Sequence, residues 1–179
     1  MKRTDISNNK HIIVVSTDKT PKNERHDVYD AYHDESYILT HDCRNVVTLK
    51  EKGENRVYRL INDANHELVV IKVDGGIFNN STSLKCDFAI YSQERRLLLI
   101  ELKGGDYNHA LEQLDTTINE MIVKPQIGIS KLYTRVVLSK ARIPNTLTSK
   151  EMALKKKLKR YGGTHEKSTR FMEEKLSNL

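Results

Sequence analysis

The amino-acid sequence predicts an α/β protein of the mixed-sheet (α+β) kind, with a central β-sheet flanked by helices. Short runs rich in β-branched and aromatic residues recur between turn signals, which is typical of strands. Two longer segments place their apolar residues at helical spacing instead. The chain has 179 residues, enough for one domain with a hydrophobic core, and we expect residues 1–179 to form that single domain.

The first 53 residues give the weakest structural signal. Residues 1–22 are polar and contain Asn8, Asn9 and Pro21, so we expect an N-terminal arm with one strand at 11–16. Residues 23–53 hold three tyrosines among scattered aliphatic side chains. That pattern fits either a short helix or a short strand.

Four strands are expected between residues 57 and 103. The runs 57–61 and 68–73 flank a turn-rich spacer, which predicts a hairpin. The runs 86–91 and 97–103 predict a second hairpin, with its turn near 93–95. The last run is apolar at nearly every position up to Ile100, as expected for a central strand that is covered on both faces.

A helix is expected after residue 105. Asp106 is a suitable N-cap, because its carboxylate can accept a bond from an otherwise unpaired backbone N–H. Pro125 ends this helix, and 133–138 is predicted to be a further strand. The apolar stripe of the helix consists of Ala110, Leu111, Leu114, Ile118, Met121 and Ile122.

Residues 148–179 are predicted to be a basic, helical segment. Thr148 and Glu151 form a capping-box pattern that opens a helix, and Leu154 and Leu158 would anchor it to the core. The glycine pair 162–163 would end it.

Composition excludes several classes of protein. No run approaches the roughly 20 apolar residues of a transmembrane helix, and the start of the chain lacks a signal-peptide pattern. We therefore expect a cytoplasmic protein without a membrane partner. Cys43 and Cys86 are too few for a disulfide framework or a thiolate zinc site. The net charge is +6, and from residue 131 onward 13 basic residues face only 4 acidic ones, which indicates an anionic partner.

The residues that indicate chemistry are Asp87, Glu101 and Lys103. In the second hairpin Asp87 and Glu101 would fall opposite each other, and two such carboxylates repel unless a cation lies between them. Side chains alternate along a strand, so Lys103 would project beside Glu101 while Leu102 packs on the other face. Carboxylates suit Mg²⁺ or Mn²⁺, to which the Leu102 carbonyl would add a ligand. The lysine ammonium would stabilise charge that develops on a phosphoryl group.

This stretch resembles the PD-(D/E)xK nuclease superfamily, which includes restriction endonucleases and archaeal Holliday-junction resolvases. The resemblance covers residues 55–140 as the core, in the order strand, strand, strand, helix, strand. Its specific residues are Asp87, Glu101, Lys103 and Gln113. It implies a restriction endonuclease-like core, Mg²⁺-dependent hydrolysis of phosphodiesters, and a role for Gln113 in orienting the site.

The sequence departs from the family pattern in two places. Cys86 stands where the family has a proline before the aspartate. An upstream helical glutamate, present in many members, is not placed. Its candidates are Glu24, Glu35 and Glu54. Asp74 competes with Asp87 for the first acidic position, but the two glycines that follow it favour a turn residue.

Contacts to nucleic acid are predicted outside the chemical site. Lys156, Lys159 and Arg160 share a helix face by their spacing and would bind phosphates, the alternative being an ordinary solvated face. His109 lies one helical turn before Gln113 and would contact phosphate or the attacking water. The alternative for His109 is a polar helix residue without a role.

Together these features predict a Mg²⁺- or Mn²⁺-dependent nuclease that acts on nucleic acid, with DNA favoured over RNA. The alternative function is a non-catalytic nucleic-acid-binding or assembly subunit that kept the fold. The intact set of Asp87, Glu101 and Lys103 argues against that alternative. By analogy with other small nucleases, we expect a homodimer or a subunit of a larger complex, such as an antiviral defence or repair assembly.

Overall fold

The computed structural model describes residues 27–78, 84–139 and 148–179. The N-terminal arm predicted for 1–22, with its strand at 11–16, lies outside these residues, and so does Glu24. The helices are α1 (Val28–Ala31), α2 (Tyr107–Ile118), which continues as a π-helix (Asn119–Val123), α3 (Ser149–Lys159) and a 3₁₀ turn (Leu176–Asn178). The strands are β1 (Ile38–Asp42), β2 (Val46–Leu49), β3 (Val57–Ile61), β4 (Leu68–Lys72), β5 (Phe88–Ser92), β6 (Arg96–Lys103), β7 (Lys131–Leu138), β8 (His165–Thr169) and β9 (Phe171–Lys175).

The larger of two sheets has six strands in the order β1-β4-β5-β6-β7-β8. The pairs β1–β4, β4–β5 and β5–β6 are antiparallel, whereas β6–β7 and β7–β8 are parallel. The predicted mixed sheet is therefore confirmed. Strand β6 lies at the junction between the antiparallel and parallel parts, with a partner on each side.

The two faces of this sheet are covered by different layers, which explains the continuous apolar run of β6. Leu97 and Leu99 point toward the core formed with α1, α2 and α3. Leu98, Ile100 and Leu102 point toward a second core, formed with a separate three-stranded sheet. Helices thus cover one face and a small sheet covers the other. None of the described helices is long and apolar enough to span a bilayer.

The small sheet has the order β2-β3-β9 and corrects one prediction. The runs 57–61 and 68–73 do not form a hairpin, because β3 joins the small sheet and β4 joins the large one. The buried Asn62 between them donates its side-chain amide to the carbonyls of Arg44 and His66 and accepts from the His66 N–H. These bonds hold the β3–β4 connection against the β1–β2 turn. At this point the chain passes from the small sheet to the large sheet.

Helix α2 follows the predicted pattern. The Asp106 carboxylate accepts a hydrogen bond from the His109 N–H at 3.0 Å. The helical rise continues through Val123 and ends just before Pro125. All six residues of the predicted stripe are buried on the face that contacts the large sheet. The helix is therefore fixed in rotation relative to β6.

The prediction that residues 148–179 are helical is wrong after residue 159. Beyond α3 the chain turns at Gly162, which has φ +65°, and passes so close to β7 that a Cβ on Gly163 would overlap the Leu132 carbonyl. This approach starts β8 parallel to β7. After Arg170, which has φ +66°, strand β9 enters the small sheet parallel to β3.

Only half of the predicted capping box forms at the start of α3. Thr148 accepts a hydrogen bond from the Glu151 N–H, as predicted. The Glu151 carboxylate does not return to the Thr148 backbone but is buried, 2.8 Å from Lys167 and 3.0 Å from Lys155. Lys167 of β8 gives the buried carboxylate a charged partner. The backbone N–H of Thr148 is uncharged and would form a weaker hydrogen bond with it.

Candidate active site

The β5–β6 hairpin brings Asp87 and Glu101 together. Its register pairs Phe88 with Ile100, so the next step outward sets Asp87 opposite Glu101. The Leu102 N–H donates a hydrogen bond of 2.7 Å to the Asp87 carboxylate, which ties this side chain to the neighbouring strand. Both carboxylates therefore lie where the hairpin pattern predicted them.

Glu101 is the most unusual side chain of the pair, because it is only 1% exposed. Its Oε1 lies 3.6 Å from the Lys103 Nζ, whereas its Oε2 is buried without a hydrogen-bond partner among the described residues. A buried carboxylate oxygen without a donor carries an unfavourable desolvation energy. The site therefore presents an acceptor to which a cation can bind.

Lys103 and Gln113 form a chain of hydrogen bonds that ends at the backbone of Lys85. The Lys103 Nζ donates to Gln113 Oε1 at 2.6 Å, and Gln113 Nε2 donates to the Lys85 carbonyl at 2.7 Å. An ammonium group only donates and a carbonyl only accepts, so these two partners also determine the orientation of the amide. Gln113 is buried and Lys103 partly exposed, which leaves the ammonium accessible to a substrate.

The pKa values of Asp87 and Glu101 differ from those of ordinary surface carboxylates. Burial raises the pKa of Glu101 well above its usual range, and the charge of Asp87 raises it further. Burial also raises the pKa of Asp87, although the hydrogen bond from Leu102 opposes the shift. Both shifts express the cost of holding two negative charges in one partly dry volume, a cost that a bound cation would remove.

Two further carboxylates act on the pair. After burial, the charge of Glu51 also raises the pKa of both Asp87 and Glu101, and the charge of Asp74 raises that of Asp87. Asp74 is exposed and forms an isolated bridge with Phe78 across the predicted turn, and its charge acts on Asp87. Glu51 was not predicted, because it comes from the β2–β3 loop of the small sheet, and no local pattern links that loop to β6.

The upstream helical glutamate of the family pattern, which the sequence left unplaced, has no counterpart among the candidates that lie within the described residues. Glu35 lies in an exposed turn before β1, and Glu54 lies in the β2–β3 loop, where it pairs with Arg56 at 3.3 Å. Neither belongs to a helix.

The described residues offer a divalent cation a pair of carboxylates rather than a full set of side-chain ligands. Within residues 27–78, 84–139 and 148–179, no group of three or more His, Cys, Asp or Glu side chains is arranged to hold a metal ion. Mg²⁺ is commonly held by one or two carboxylates together with water and substrate phosphates, so two carboxylates are sufficient for it. The unpaired Oε2 of Glu101 fits the same requirement. The Leu102 carbonyl remains a predicted third ligand.

The predicted nucleic-acid contacts do not all lie near this site. Lys156, Lys159 and Arg160 are exposed, but the end of α3 approaches the start of β7 at Leu132. The site lies at the other end of β7, where Leu138 pairs with Lys103. At about 3.3 Å per residue, the two ends are about 20 Å apart. His109 is nearer, on the first turn of α2, with its ring 4.0 Å from the Glu112 carboxylate.

Comparison with known proteins assigns no family to the chain. No family model, no curated protein and no solved structure matches it. The likeness to PD-(D/E)xK nucleases thus remains a resemblance carried by Asp87, Glu101, Lys103 and Gln113.

Proposed function

We propose that the protein is a divalent-cation-dependent nuclease that hydrolyses phosphodiester bonds in nucleic acid, with DNA preferred over RNA. The observation that carries the proposal is the buried Glu101 carboxylate, whose Oε2 has no hydrogen-bond donor among the described residues and which faces Asp87. A side chain in this environment is unfavourable for stability alone. It is favourable for holding Mg²⁺ or Mn²⁺.

Asp87 and Glu101 would hold the cation, and the hydrogen bond from Leu102 would keep Asp87 in place before binding. When bound, the cation would withdraw electron density from a phosphodiester oxygen. Without a cation, the negative charges of Asp87 and Glu101 repel each other. The pair therefore favours binding of a cation over binding of an anion.

Lys103 would act on the substrate. The bond from its Nζ to Gln113 uses one of three N–H donors and directs the others away from the helix. A donor fixed in this way can stabilise negative charge on the phosphoryl oxygens as water attacks the phosphorus and the bond from phosphorus to the leaving oxygen breaks. Gln113 would act as a positioning residue, because its side chain bonds only to Lys103 and the Lys85 backbone among the described residues.

A cleavage assay with four substrates tests the proposal. Supercoiled plasmid, linear duplex, single-stranded DNA and RNA are incubated with the pure protein and Mg²⁺, Mn²⁺ or EDTA. We expect cleavage of DNA with either metal and none with EDTA. Binding of nucleic acid without cleavage under all conditions would instead support the alternative, a non-catalytic binding or assembly subunit.

The wider role is part of the same proposal. A small nuclease domain gains selectivity from a second copy of itself or from partner subunits, as in a defence or repair assembly. Size-exclusion chromatography with light scattering, with and without duplex DNA, distinguishes a homodimer from a monomer that needs other subunits.

A further inference from the structure

The β2–β3 loop of the small sheet contacts the end of β6 through Arg56. The Arg56 side chain is 7% exposed, and its Nη2 lies 3.1 Å from Glu51 and 3.3 Å from Glu54. Its Nη1 lies 3.5 Å from the position that a Cβ on Gly104 would occupy, immediately after Lys103. A buried guanidinium thus joins a loop of one sheet to the site-bearing strand of the other.

We propose that Arg56 and Glu51 form a clamp through which the small sheet positions the cation site, with Glu51 supplying a third negative charge close to Asp87 and Glu101. We call this pair the Arg56 clamp. The inference rests on the proposed function, since it assigns a role toward the same cation. It makes Glu51 and Arg56 positioning residues, because neither is placed on the substrate.

Glu51 is suited to act through space and through water. The described carboxylates do not form a three-ligand cluster, so direct coordination by Glu51 is not part of the arrangement. Mg²⁺ keeps several of its water molecules, and a carboxylate beyond them still binds the hydrated ion by charge and by accepting hydrogen bonds. The charge of Glu51 reaches both Asp87 and Glu101, as their raised pKa values indicate.

The ion pair with Arg56 positions the negative charge of the Glu51 carboxylate. A glutamate in a loop samples many rotamers, and an ion pair with a buried guanidinium limits them. Glu54 makes a comparable ion pair with the same guanidinium and is similarly exposed, with 46% of its side chain accessible against 41% for Glu51. Glu51, and not Glu54, is among the main causes of the raised pKa of Asp87 and of Glu101. The same loop therefore contains a matched control.

The test compares Glu51→Gln with Glu54→Gln in the full chain. Each variant removes one negative charge that pairs with Arg56, so the change in net charge is the same, and the two ion-pair distances are similar at 3.1 and 3.3 Å. Calorimetric titration with Mn²⁺ and with Mg²⁺, without nucleic acid, measures cation affinity directly. We expect Glu51→Gln to weaken binding roughly 10-fold and Glu54→Gln to change it less than about 2-fold. Circular dichroism melts confirm that both variants are folded.

Asp87→Asn is measured beside them to separate the two proposals. If Asp87→Asn loses cation binding but Glu51→Gln matches wild type, the Arg56 clamp is wrong and the nuclease site stands. Equal weakening in Glu51→Gln and Glu54→Gln would reveal a general charge effect and would also overturn the clamp. If Asp87→Asn binds the cation as wild type does, the proposed site itself fails.

Discussion

Glu101 is a residue whose environment is unfavourable for the stability of the fold. Its Oε2 is buried without a donor among the described residues, two bonds from an Oε1 whose nearest cation is 3.6 Å away. The position of this carboxylate was predictable, because strand alternation and hairpin register are local properties of the sequence. The effect of the Glu51 charge on the pKa values of Asp87 and Glu101 was not predictable, because it depends on how the two sheets pack against each other.

Replacing Glu101 by Gln should abolish cleavage and stabilise the cation-free protein. Burial holds the folded-state pKa of Glu101 above its unfolded value, so its ionised form opposes folding, and this cost grows as the pH rises above the unfolded pKa. We expect a gain on the order of 1 kcal/mol at pH 8 and less at pH 5. Urea denaturation in EDTA measures the gain, and the plasmid assay measures cleavage.

Asp87→Asn is the companion variant, since an amide oxygen can still accept the Leu102 N–H bond. It should be folded and inactive. Full activity in either folded variant would rule out the carboxylate pair as the cation site.

Replacing Lys103 by Met separates transition-state stabilisation from cation binding. The thioether keeps much of the stem volume but removes the ammonium that Gln113 holds at 2.6 Å. We expect the single-turnover rate at saturating duplex to fall on the order of 100-fold, with Mn²⁺ affinity little changed. A rate equal to wild type would leave Lys103 as a partly exposed surface residue without a role in chemistry.

At the scale of elements, predictions were correct where a pattern was local and wrong where pairing was distant. The β5–β6 hairpin and α2 follow from a turn and from a helical stripe, and both are present. The strands β8 and β9 have polar sequences with little alternation of apolar residues, so their composition did not distinguish them from a solvated helix. Their strand structure comes from pairing with β7 and β3.

Gly163→Ala tests the turn that converts α3 into β8. A Cβ here would overlap the Leu132 carbonyl, and backbone cannot move aside as a flexible side chain can. We expect a loss of more than about 2 kcal/mol in the free energy of unfolding. Gly105→Ala is the matched control, because nothing lies within 4 Å of the added carbon. Equal urea midpoints for the two variants would contradict the close approach.

The buried His165 links α2, β7 and β8 and should govern stability in mild acid. Its ring nitrogens lie 2.8 Å from the Tyr107 and Thr134 hydroxyls, and burial lowers its pKa to about 4. Between pH 6.5 and about 4 the unfolded chain binds a proton that the folded protein does not, so stability should fall as pH falls, by up to about 1.4 kcal/mol per pH unit.

The measurement is urea denaturation from pH 7 to pH 4.5, with His165→Gln as the comparison. The variant loses the ring's hydrogen bonds and starts less stable, but its slope over this interval should be smaller. The ion-paired Glu151, whose pKa is lowered to about 2, contributes its own loss only below its unfolded pKa. Parallel slopes for the variant and wild type would exclude His165 as the titrating group.

At the scale of the whole molecule, the carboxylate pair lies near one end of β7, whereas the chain that follows α3 meets the other end of that strand. The charges of Lys150 and Lys157 are already paired with Glu112 and Asp115 on α2. Lys156, Lys159 and Arg160 are exposed in the second half of α3, and soon after this helix Gly163 meets Leu132 of β7, about 20 Å from the end of that strand next to the site. A duplex that occupies both ends would need about 6 base pairs between them at 3.4 Å per step.

We therefore expect weaker binding of long duplexes when Lys156, Lys159 and Arg160 are neutralised. The slope of log binding constant against log salt concentration should fall by roughly 1 for each phosphate that the protein no longer neutralises. Short duplexes that do not extend beyond the site should bind equally well before and after the change. Anisotropy over a range of KCl, in a Glu101→Gln background that prevents cleavage, measures both. The control neutralises Lys150, Lys155 and Lys157, which are already paired with acids. An unchanged slope would limit this face to solubility or a protein partner.

The parallel pairing of β3 with β9 has a consequence for how the protein is made. It joins Val57 to Phe171, so the small sheet lacks one of its strands until the ribosome has synthesised all of the residues between them and β9 has emerged. Closing so long a loop is slow compared with forming the β5–β6 hairpin, whose partners are close in sequence. The carboxylate pair can thus form early in synthesis, while the layer beneath β6 is completed last. A nascent chain would carry the hairpin but not the complete small sheet, so the nuclease activity that we propose is expected only after β9 has emerged.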